Sequence, residues 1–231
     1  MNSKQGETRP LLLGHRGARR YAPENTIAAF DLALQHGCDG FEFDVRRTLD
    51  GRAAICHDPR LNRQEIACTP HAALLARSNA LCTLEEVLER YAARAYLYIE
   101  LKVPGLEREV LSAIAARPPQ RGHVLASFDV EVLCALRALD AAIPLGFICD
   151  ERKSFARWCE LPVQVVMPQY ELVSPTIVDE IHAAGRQVFV WTVNRQRDML
   201  ALAGLGVDAI LSDDTELLCR TIDRQKRTPH S

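Results

Sequence analysis

Short apolar runs alternate along the chain with segments whose apolar residues recur at helical spacing. The apolar runs predict eight strands, at residues 11–13, 40–45, 95–102, 123–128, 144–149, 163–167, 187–193 and 209–212. Helices are predicted between them at 27–35, 83–92, 106–116, 130–139, 155–160, 175–184 and 197–205. Buried strands that alternate with amphipathic helices form a parallel sheet covered by helices, so we predict a closed (β/α)8 barrel, the TIM-barrel fold.

Two segments do not follow this alternation. Residues 52–56 form an extra extended piece after a tight turn at 49–51, and residues 61–80 are weakly patterned, so we interpret them as a connecting segment. No stretch has the composition of a linker. A length of 231 residues suits one barrel, and we predict a single domain over 1–231 with a core at about 11–218 and polar ends.

Composition and charge exclude several classes of protein. The chain is 48% hydrophobic and has a net charge of −2, with no apolar run long enough for a transmembrane segment and no basic surface for nucleic acid. Its one basic cluster, residues 224–227, is interpreted as a solvated end. Eight cysteines occur without a CxxC pair, so we expect reduced thiols in a cytoplasmic protein.

The second predicted strand carries the first candidate chemistry. Glu42 and Asp44 share one face of it, while Phe41, Phe43 and Val45 share the other. Two adjacent carboxylates repel unless a cation lies between them or one holds a proton. Such a pair alone is typical of an exposed strand edge, and only the residues around it favour a site.

Catalytic groups of a (β/α)8 barrel lie at the C-terminal ends of its strands. Seven chemically able residues lie at or near such ends here: His15, Arg16, Glu42, Asp44, His57, Glu100 and Lys102. The three carboxylates among them predict an oxygen cage for a divalent cation, Mg²⁺ or Ca²⁺. Arg16 and Lys102 suit phosphate oxygens, and His15 and His57 suit a general acid and base pair, so together the seven predict phosphoryl transfer.

Structural roles for the same residues remain as alternatives. Glu100 and Lys102 could pair as an ion bridge across the strand face, and Arg16 could hold its loop through Glu24. A single histidine after an apolar strand is also more often structural than catalytic. Glycine-rich phosphate loops are absent, so we do not expect use of ATP or NAD.

A series of short motifs, in order from about residue 11 to 218, resembles the glycerophosphodiester phosphodiesterase family, whose barrels are of the phospholipase C-like (PLC-like) phosphodiesterase type. The motifs are His15-Arg16-Gly17, Pro23-Glu24-Asn25-Thr26, Glu42-Phe43-Asp44-Val45, Asp50-Gly51, His57-Asp58, Thr83-Leu84-Glu85-Glu86-Val87, Glu100-Leu101-Lys102, Ser127-Phe128, Trp191-Thr192-Val193-Asn194 and Gly206-Val207-Asp208.

The resemblance implies an enzyme that hydrolyses glycerophosphodiesters, as small-molecule substrates, to glycerol 3-phosphate and an alcohol with a divalent cation. It implies metal binding by Glu42, Asp44 and Glu100, acid and base roles for His15 and His57, phosphate contacts from Arg16 and Lys102, and a pocket wall at Trp191. Attack by the neighbouring hydroxyl of the substrate, through a cyclic phosphate, and direct attack by water both remain open.

The chain departs from the family pattern at two places. The insertion that usually covers the pocket is shortened to residues 59–82, which bears on substrate selectivity. The closing motif, usually similar to Thr-Asp-Pro, reads Leu211-Ser212-Asp213-Asp214, and we interpret it as barrel closure near the rim and not as a change in catalysis.

Two other functions remain as alternatives. One is a lysophospholipase D or phosphodiester lyase that acts on lipid substrates, and the other is a non-catalytic barrel that binds phosphodiesters. The first would need a wider apolar mouth, which residues 61–80 offer little sign of. The preferred head-group alcohol and the oligomeric state are not predicted.

Overall fold

The protein forms a closed barrel of eight parallel strands in a computed structural model that describes residues 9–78 and 81–225. The polar segment before residue 9 and residues 226–227 of the basic cluster lie outside the described residues. The barrel strands are β1 (Leu11–Gly14), β2 (Gly40–Arg47), β6 (Tyr96–Leu101), β7 (His123–Ser127), β8 (Leu145–Cys149), β9 (Val165–Pro168), β10 (Gln187–Val190) and β11 (Ala209–Ser212). The barrel closes because β1 pairs with both β2 and β11, which confirms the predicted fold.

Three further strands lie between β2 and β6. Strand β3 (Ala53–Ile55) pairs antiparallel with the end of β2, and β4 (Arg60–Leu61) forms a small hairpin with β5 (Gln64–Glu65). The segment that we expected to be only a connection therefore contains ordered pieces, including a 3₁₀ turn at Ile66–Cys68.

The helices follow the strands in sequence. They are α1 (Ile27–Gln35), α2 (His71–Leu75), α3 (Leu84–Tyr91), α4 (Glu107–Ala116), α5 (Val130–Leu139), α6 (Arg152–Phe155), α7 (Pro175–Ala183), α8 (Gln196–Gly204) and α9 (Thr215–Gln225). Within the described residues, no helix combines the length and the apolar character needed to cross a bilayer.

Successive strand residues alternate between the inside of the barrel and the helices. Phe41, Phe43 and Val45 of β2 are fully buried in the larger core cluster, which lies between the sheet and the helices. A separate cluster fills the barrel interior: Leu13, Tyr98, Val124, Ala126, Ile148, Val165, Met167, Phe189, Ala209 and Leu211. The predicted alternation of faces in β2 is thereby confirmed, and Glu42 and Asp44 lie on the inner face.

Local sequence explains where two of the helices begin. The Thr26 hydroxyl accepts the backbone N–H of Ala29 at the start of α1, and Thr83 forms a capping box with Glu86 at the start of α3. Gly40 serves a different purpose at the start of β2. A Cβ there would lie 1.9 Å from the carbonyl oxygen of Tyr96, so only glycine permits β2 and β6 to approach this closely.

Three element predictions need correction. The helix predicted at 155–160 is instead the short α6 followed by a 3₁₀ turn at Trp158–Glu160, and β10 ends at Val190 rather than at 193. Helix α9 was not predicted, although Leu218, Cys219 and Ile222 recur at helical spacing and are buried. The other residues of α9 are mostly polar, and a few apolar positions alone do not separate an α-helix from irregular turns.

Candidate active site

The register of two neighbouring strands brings three carboxylates together. Strands β2 and β6 are parallel, with Asp44 opposite Glu100 and Glu42 opposite Tyr98. One oxygen from each of Glu42, Asp44 and Glu100 lies within 4.8 Å of the others, and all three side chains are buried. The structure therefore assembles the three predicted metal ligands at the C-terminal end of the barrel.

Two cations offset the negative charge of this cluster. The Lys102 Nζ atom lies 2.5 Å from Glu100 Oε1 and 3.0 Å from Asp44 Oδ1. Arg16 Nε lies 3.2 Å from Asp44 Oδ2, and its Nη1 donates to Glu24. Both pairings that we considered as structural alternatives are thus present, and both place a cation against the carboxylates.

Arg16 and Asn25 hold the carboxylates from the loop between β1 and α1. The backbone N–H of Arg16 donates to Glu42 Oε2 over 2.7 Å, in a residue with a φ of 56°. The Asn25 amide donates to Asp44 Oδ2 over 2.8 Å and accepts the Asp44 backbone N–H. The Pro23–Thr26 motif therefore contributes a direct contact to a predicted metal ligand.

Burial and electrostatic interactions shift the pKa values of the three carboxyl groups in different directions. Burial, with Asp44 and Glu100 nearby, raises the pKa of Glu42 well above its usual range. Burial also raises the pKa of Glu100 to about 7, although Lys102 opposes this. Burial acts in the same direction on Asp44, but Lys102 and Arg16 outweigh it, so the pKa of Asp44 is lowered. The cluster lacks enough positive charge for three ionised carboxylates.

These residues fit a divalent cation. Glu42 Oε1 is buried with no hydrogen-bond partner in the part of the chain that the structure describes. A buried acceptor of this kind is costly unless something binds it. Hard cations such as Mg²⁺ and Ca²⁺ take carboxylate oxygens as ligands, and a cation among these three would favour their ionised forms.

His15 follows β1 and is held by a residue that follows β11. Its Nδ1 lies 2.8 Å from Asp213 Oδ1, and its backbone N–H donates to the Ser212 carbonyl. Burial lowers the pKa of His15, with Asp213 acting in the opposite direction. His15 is therefore a neutral imidazole at neutral pH, in a form that can accept a proton.

His57 reaches the same pocket from the end of the β2–β3 hairpin. Arg46 Nε donates to the His57 carbonyl over 2.6 Å, which fixes the backbone there. The His57 side chain is 32% exposed, and its Nδ1 lies 2.9 Å from the carboxylate of Asp58. His57 thus differs from His15 in being accessible to solvent.

One pocket joins these groups to an apolar wall. Eleven residues line it: His15, Arg16, Glu42, His57, Tyr98, Glu100, Lys102, Phe128, Ile148, Trp191 and Leu211. Trp191 donates its indole N–H to the Met167 carbonyl and meets the Phe128 ring edge to face at 5.7 Å. Trp191 therefore packs on the barrel interior and also lines the pocket.

Asp213 is the functional candidate that our sequence analysis missed. We interpreted residues 211–214 as barrel closure alone, and this interpretation was incomplete because the Asp213 carboxylate contacts His15. The order of strands in a closed barrel indicates that Asp213 lies near His15. In a closed barrel the last strand lies beside the first, and Gly14 pairs with Ser212, so the residues that follow them are neighbours.

The fold and the site together define a barrel hydrolase with an acidic cluster and two histidines at one pocket, and comparisons with known proteins give the same class. A family model described as "Glycerophosphoryl diester phosphodiesterase family" matches residues 15–217. A glycerophosphodiester phosphodiesterase of Caldanaerobacter subterraneus subsp. tengcongensis is 28% identical over 236 residues, which cover 92% of this chain and 97% of that protein.

Two solved structures extend the likeness. A phosphodiesterase of Oleispira antarctica, in complex with the product sn-glycerol-3-phosphate, has a TM-score of 0.80 at 28% identity and covers 93% of this chain and 97% of its own. A glycerophosphodiester phosphodiesterase of Agrobacterium tumefaciens has a TM-score of 0.81 at 25% identity and covers 91% and 99%. The chain belongs to the glycerophosphoryl diester phosphodiesterase family and is an enzyme of the phosphodiester hydrolase class.

Proposed function

We propose that this protein hydrolyses glycerophosphodiesters to glycerol 3-phosphate and an alcohol, with a divalent cation, Mg²⁺ or Ca²⁺, bound by Glu42, Asp44 and Glu100. The observation that carries the proposal is a cluster of three carboxylates, two of which, Glu42 and Glu100, line the same pocket as His15 and His57. The Oleispira relative, whose structure contains sn-glycerol-3-phosphate, supports the choice of product.

Charge on the substrate phosphate is met by two side chains and the cation. A bound divalent cation supplies a Lewis acid for a phosphoryl oxygen. Arg16 and Lys102 both line the pocket, and they would contact the remaining phosphate oxygens. Their present partners, Asp44, Glu24 and Glu100, hold both cations at the pocket floor, so little ordering is needed when substrate binds.

The two histidines divide the proton transfers. His15, whose pKa is lowered by burial, takes the proton from the attacking oxygen, and His57 gives a proton to the leaving alkoxide. His57 is the more exposed of the two, which suits exchange of protons and release of an alcohol at the mouth of the pocket. His15 as base and His57 as acid can act in the same way whether the attacking oxygen is the neighbouring hydroxyl of the substrate or a water molecule.

The apolar wall of the pocket would face the remainder of the substrate. Trp191, Phe128, Ile148 and Leu211 give that side an apolar character. The large apolar side chains exposed among the described residues are Tyr21, Leu49, Phe128 and Leu139, and of these only Phe128 lines the pocket. We therefore propose a small glycerophosphodiester as substrate rather than a lipid with a long acyl chain.

The organisation of the chain is part of the proposal. We propose that one barrel domain contains all the catalytic groups, because a single core cluster extends from Leu12 in β1 to Ile222 in α9. The cytoplasmic location expected from the sequence stays a prediction, as does the absence of a nucleic-acid partner.

The alternative of a lipid substrate is tested by comparing the two kinds of substrate in separate reactions. We expect glycerophosphocholine to be turned over with a kcat/KM at least about tenfold above that of detergent-solubilised lysophosphatidylcholine, because one exposed phenyl ring buries too little of an acyl chain. The measurement is glycerol 3-phosphate or lysophosphatidic acid released in parallel reactions. A preference for the lysolipid would replace the proposal with a lysophospholipase D.

A further inference from the structure

Four hydrogen bonds at the end of β11 hold the carboxylate that contacts His15. Asp213 Oδ1 lies 2.8 Å from His15 Nδ1, and Asp213 Oδ2 accepts from Asn194 Nδ2 over 2.7 Å. The other end of the Asn194 amide accepts the backbone N–H of Asp213 over 2.9 Å and the Ser212 hydroxyl over 3.1 Å. Because two donors occupy Asn194 Oδ1, its amide nitrogen must face Asp213.

We propose that Asp213 is a positioning residue that holds His15 in the tautomer protonated on Nδ1, and that Asn194 sets the orientation in which Asp213 does so. The catalytic consequence rests on the function proposed above, whereas the tautomer itself does not.

The chemistry of the pair dictates the tautomer. Although burial would raise it, the pKa of Asp213 is lowered by His15, Asn194 and Arg19, so this carboxylate is ionised and can only accept hydrogen bonds. His15 must then carry its proton on Nδ1, which leaves the Nε2 lone pair as the proton acceptor. Among the described residues Nε2 has no hydrogen-bond partner, and His15 lines the pocket.

The corresponding contact of His57 lacks this support. Asp58 is the next residue in the chain, its side chain is 73% exposed, and it makes no second side-chain bond among the described residues. Asp213 is 27% exposed and bonded at both oxygens. Of the two pocket histidines, His15 is therefore the one whose carboxylate partner has a fixed orientation, as expected for the group that must be ready as a base.

The contact with Asn194 predicts how an amide at position 213 would turn. In Asp213→Asn, the Asn194 N–H still needs an acceptor, so the new carbonyl oxygen faces Asn194 and the new NH₂ faces His15. His15 must then accept at Nδ1 and carry its proton on Nε2, where it cannot act as a base. Arg19 Nε, 3.5 Å from Asp213 Oδ1, favours the orientation in which the new carbonyl oxygen faces His15. Its effect is weak, because it lies beyond hydrogen-bond distance in a part-exposed side chain.

A second substitution turns the amide back and restores the net charge of the wild type. In Asp213→Asn combined with Asn194→Asp, the carboxylate at position 194 keeps the contacts to Ser212 and to the backbone, and its other oxygen accepts from the new amide. The amide oxygen then faces His15, and the Nδ1-protonated tautomer returns. A structural role for Asp213 alone would give no such recovery.

The test combines nitrogen NMR of His15 with steady-state kinetics on glycerophosphocholine. We expect Nδ1–H in the wild type at about pH 8, Nε2–H in Asp213→Asn, and Nδ1–H again in the double variant, with the His15 signals assigned by their loss in His15→Asn. For Asp213→Asn we expect kcat to fall roughly 10²-fold or more with KM within about twofold, and the double variant to regain part of kcat.

Each outcome decides the matter. The wild type alone can overturn the proposal, if His15 proves to be the Nε2–H tautomer. An unchanged tautomer in a folded Asp213→Asn would overturn it as well. A switched tautomer with unchanged kcat overturns the catalytic consequence. If the wild type does not turn over glycerophosphocholine, the proposed function fails while the tautomer measurements still test the positioning of His15.

Discussion

Glu42→Gln is expected to reduce glycerol 3-phosphate release by roughly a thousandfold or more, because several kcal/mol of transition-state stabilisation depend on the cation and each 1.36 kcal/mol is a factor of about ten. Glu42 offers the cluster an oxygen, Oε1, that has no hydrogen-bond partner among the described residues, and an amide at this position weakens the oxygen cage while the side-chain shape is kept. Calorimetric titration with Mg²⁺ and with Ca²⁺ is expected to show the same loss of binding.

A matched variant controls for the removal of a charge. Glu65→Gln changes an exposed carboxylate on the β4–β5 hairpin that pairs with Arg60, and it is expected to retain both activity and metal binding. Thermal unfolding of both variants checks that each is folded. If Glu42→Gln bound metal as the wild type does and kept its activity, the assignment of the three carboxylates would be wrong.

His57→Asn is expected to lower kcat by roughly 10²–10⁴-fold, the usual contribution of a general acid or base. The substitution leaves the backbone in place because Arg46 bonds the carbonyl of His57 and not its ring. The side chain is 32% exposed, so its replacement creates no cavity in the core and stability is expected to change little. Rates with an activated leaving group, such as a nitrophenyl ester, are expected to suffer less, because such a group needs no proton.

His182→Asn provides the control for loss of an imidazole. His182 bonds Asp208, the residue before β11, and therefore lies at the end of the barrel opposite the pocket. Its removal is expected to leave kcat unchanged. A loss of kcat in His57→Asn that was equal for natural and activated leaving groups would contradict the role of His57 as the acid.

The part of the site that lies within single strands could be predicted from the sequence. A strand with period two placed Glu42 and Asp44 on the face opposite Phe41 and Phe43, and the packing of those two rings in the cluster between the sheet and the helices confirms the choice of face. The barrel rule placed Glu100 at the end of its strand beside them. These inferences need only local periodicity and the fold.

The contacts between distant segments could not be predicted in the same way. His15 and Asp213 are separated by 198 positions, and their contact depends on closure of the barrel with Gly14 opposite Ser212. The bond from Asn25 to Asp44 depends on a residue with a φ of 58° in a loop, where side-chain direction follows no period. Pattern alone gives neither the register of closure nor the conformation of a loop.

The most direct test of the proposed chemistry is release of glycerol 3-phosphate from glycerophosphocholine by purified protein treated with a chelator and then supplied with Mg²⁺ or Ca²⁺. We expect no release while the chelator is in excess and recovery with at least one of the two cations, because Glu42, Asp44 and Glu100 need a cation to remain ionised together. Release that continued unchanged in chelator would contradict a metal-dependent mechanism at this cluster.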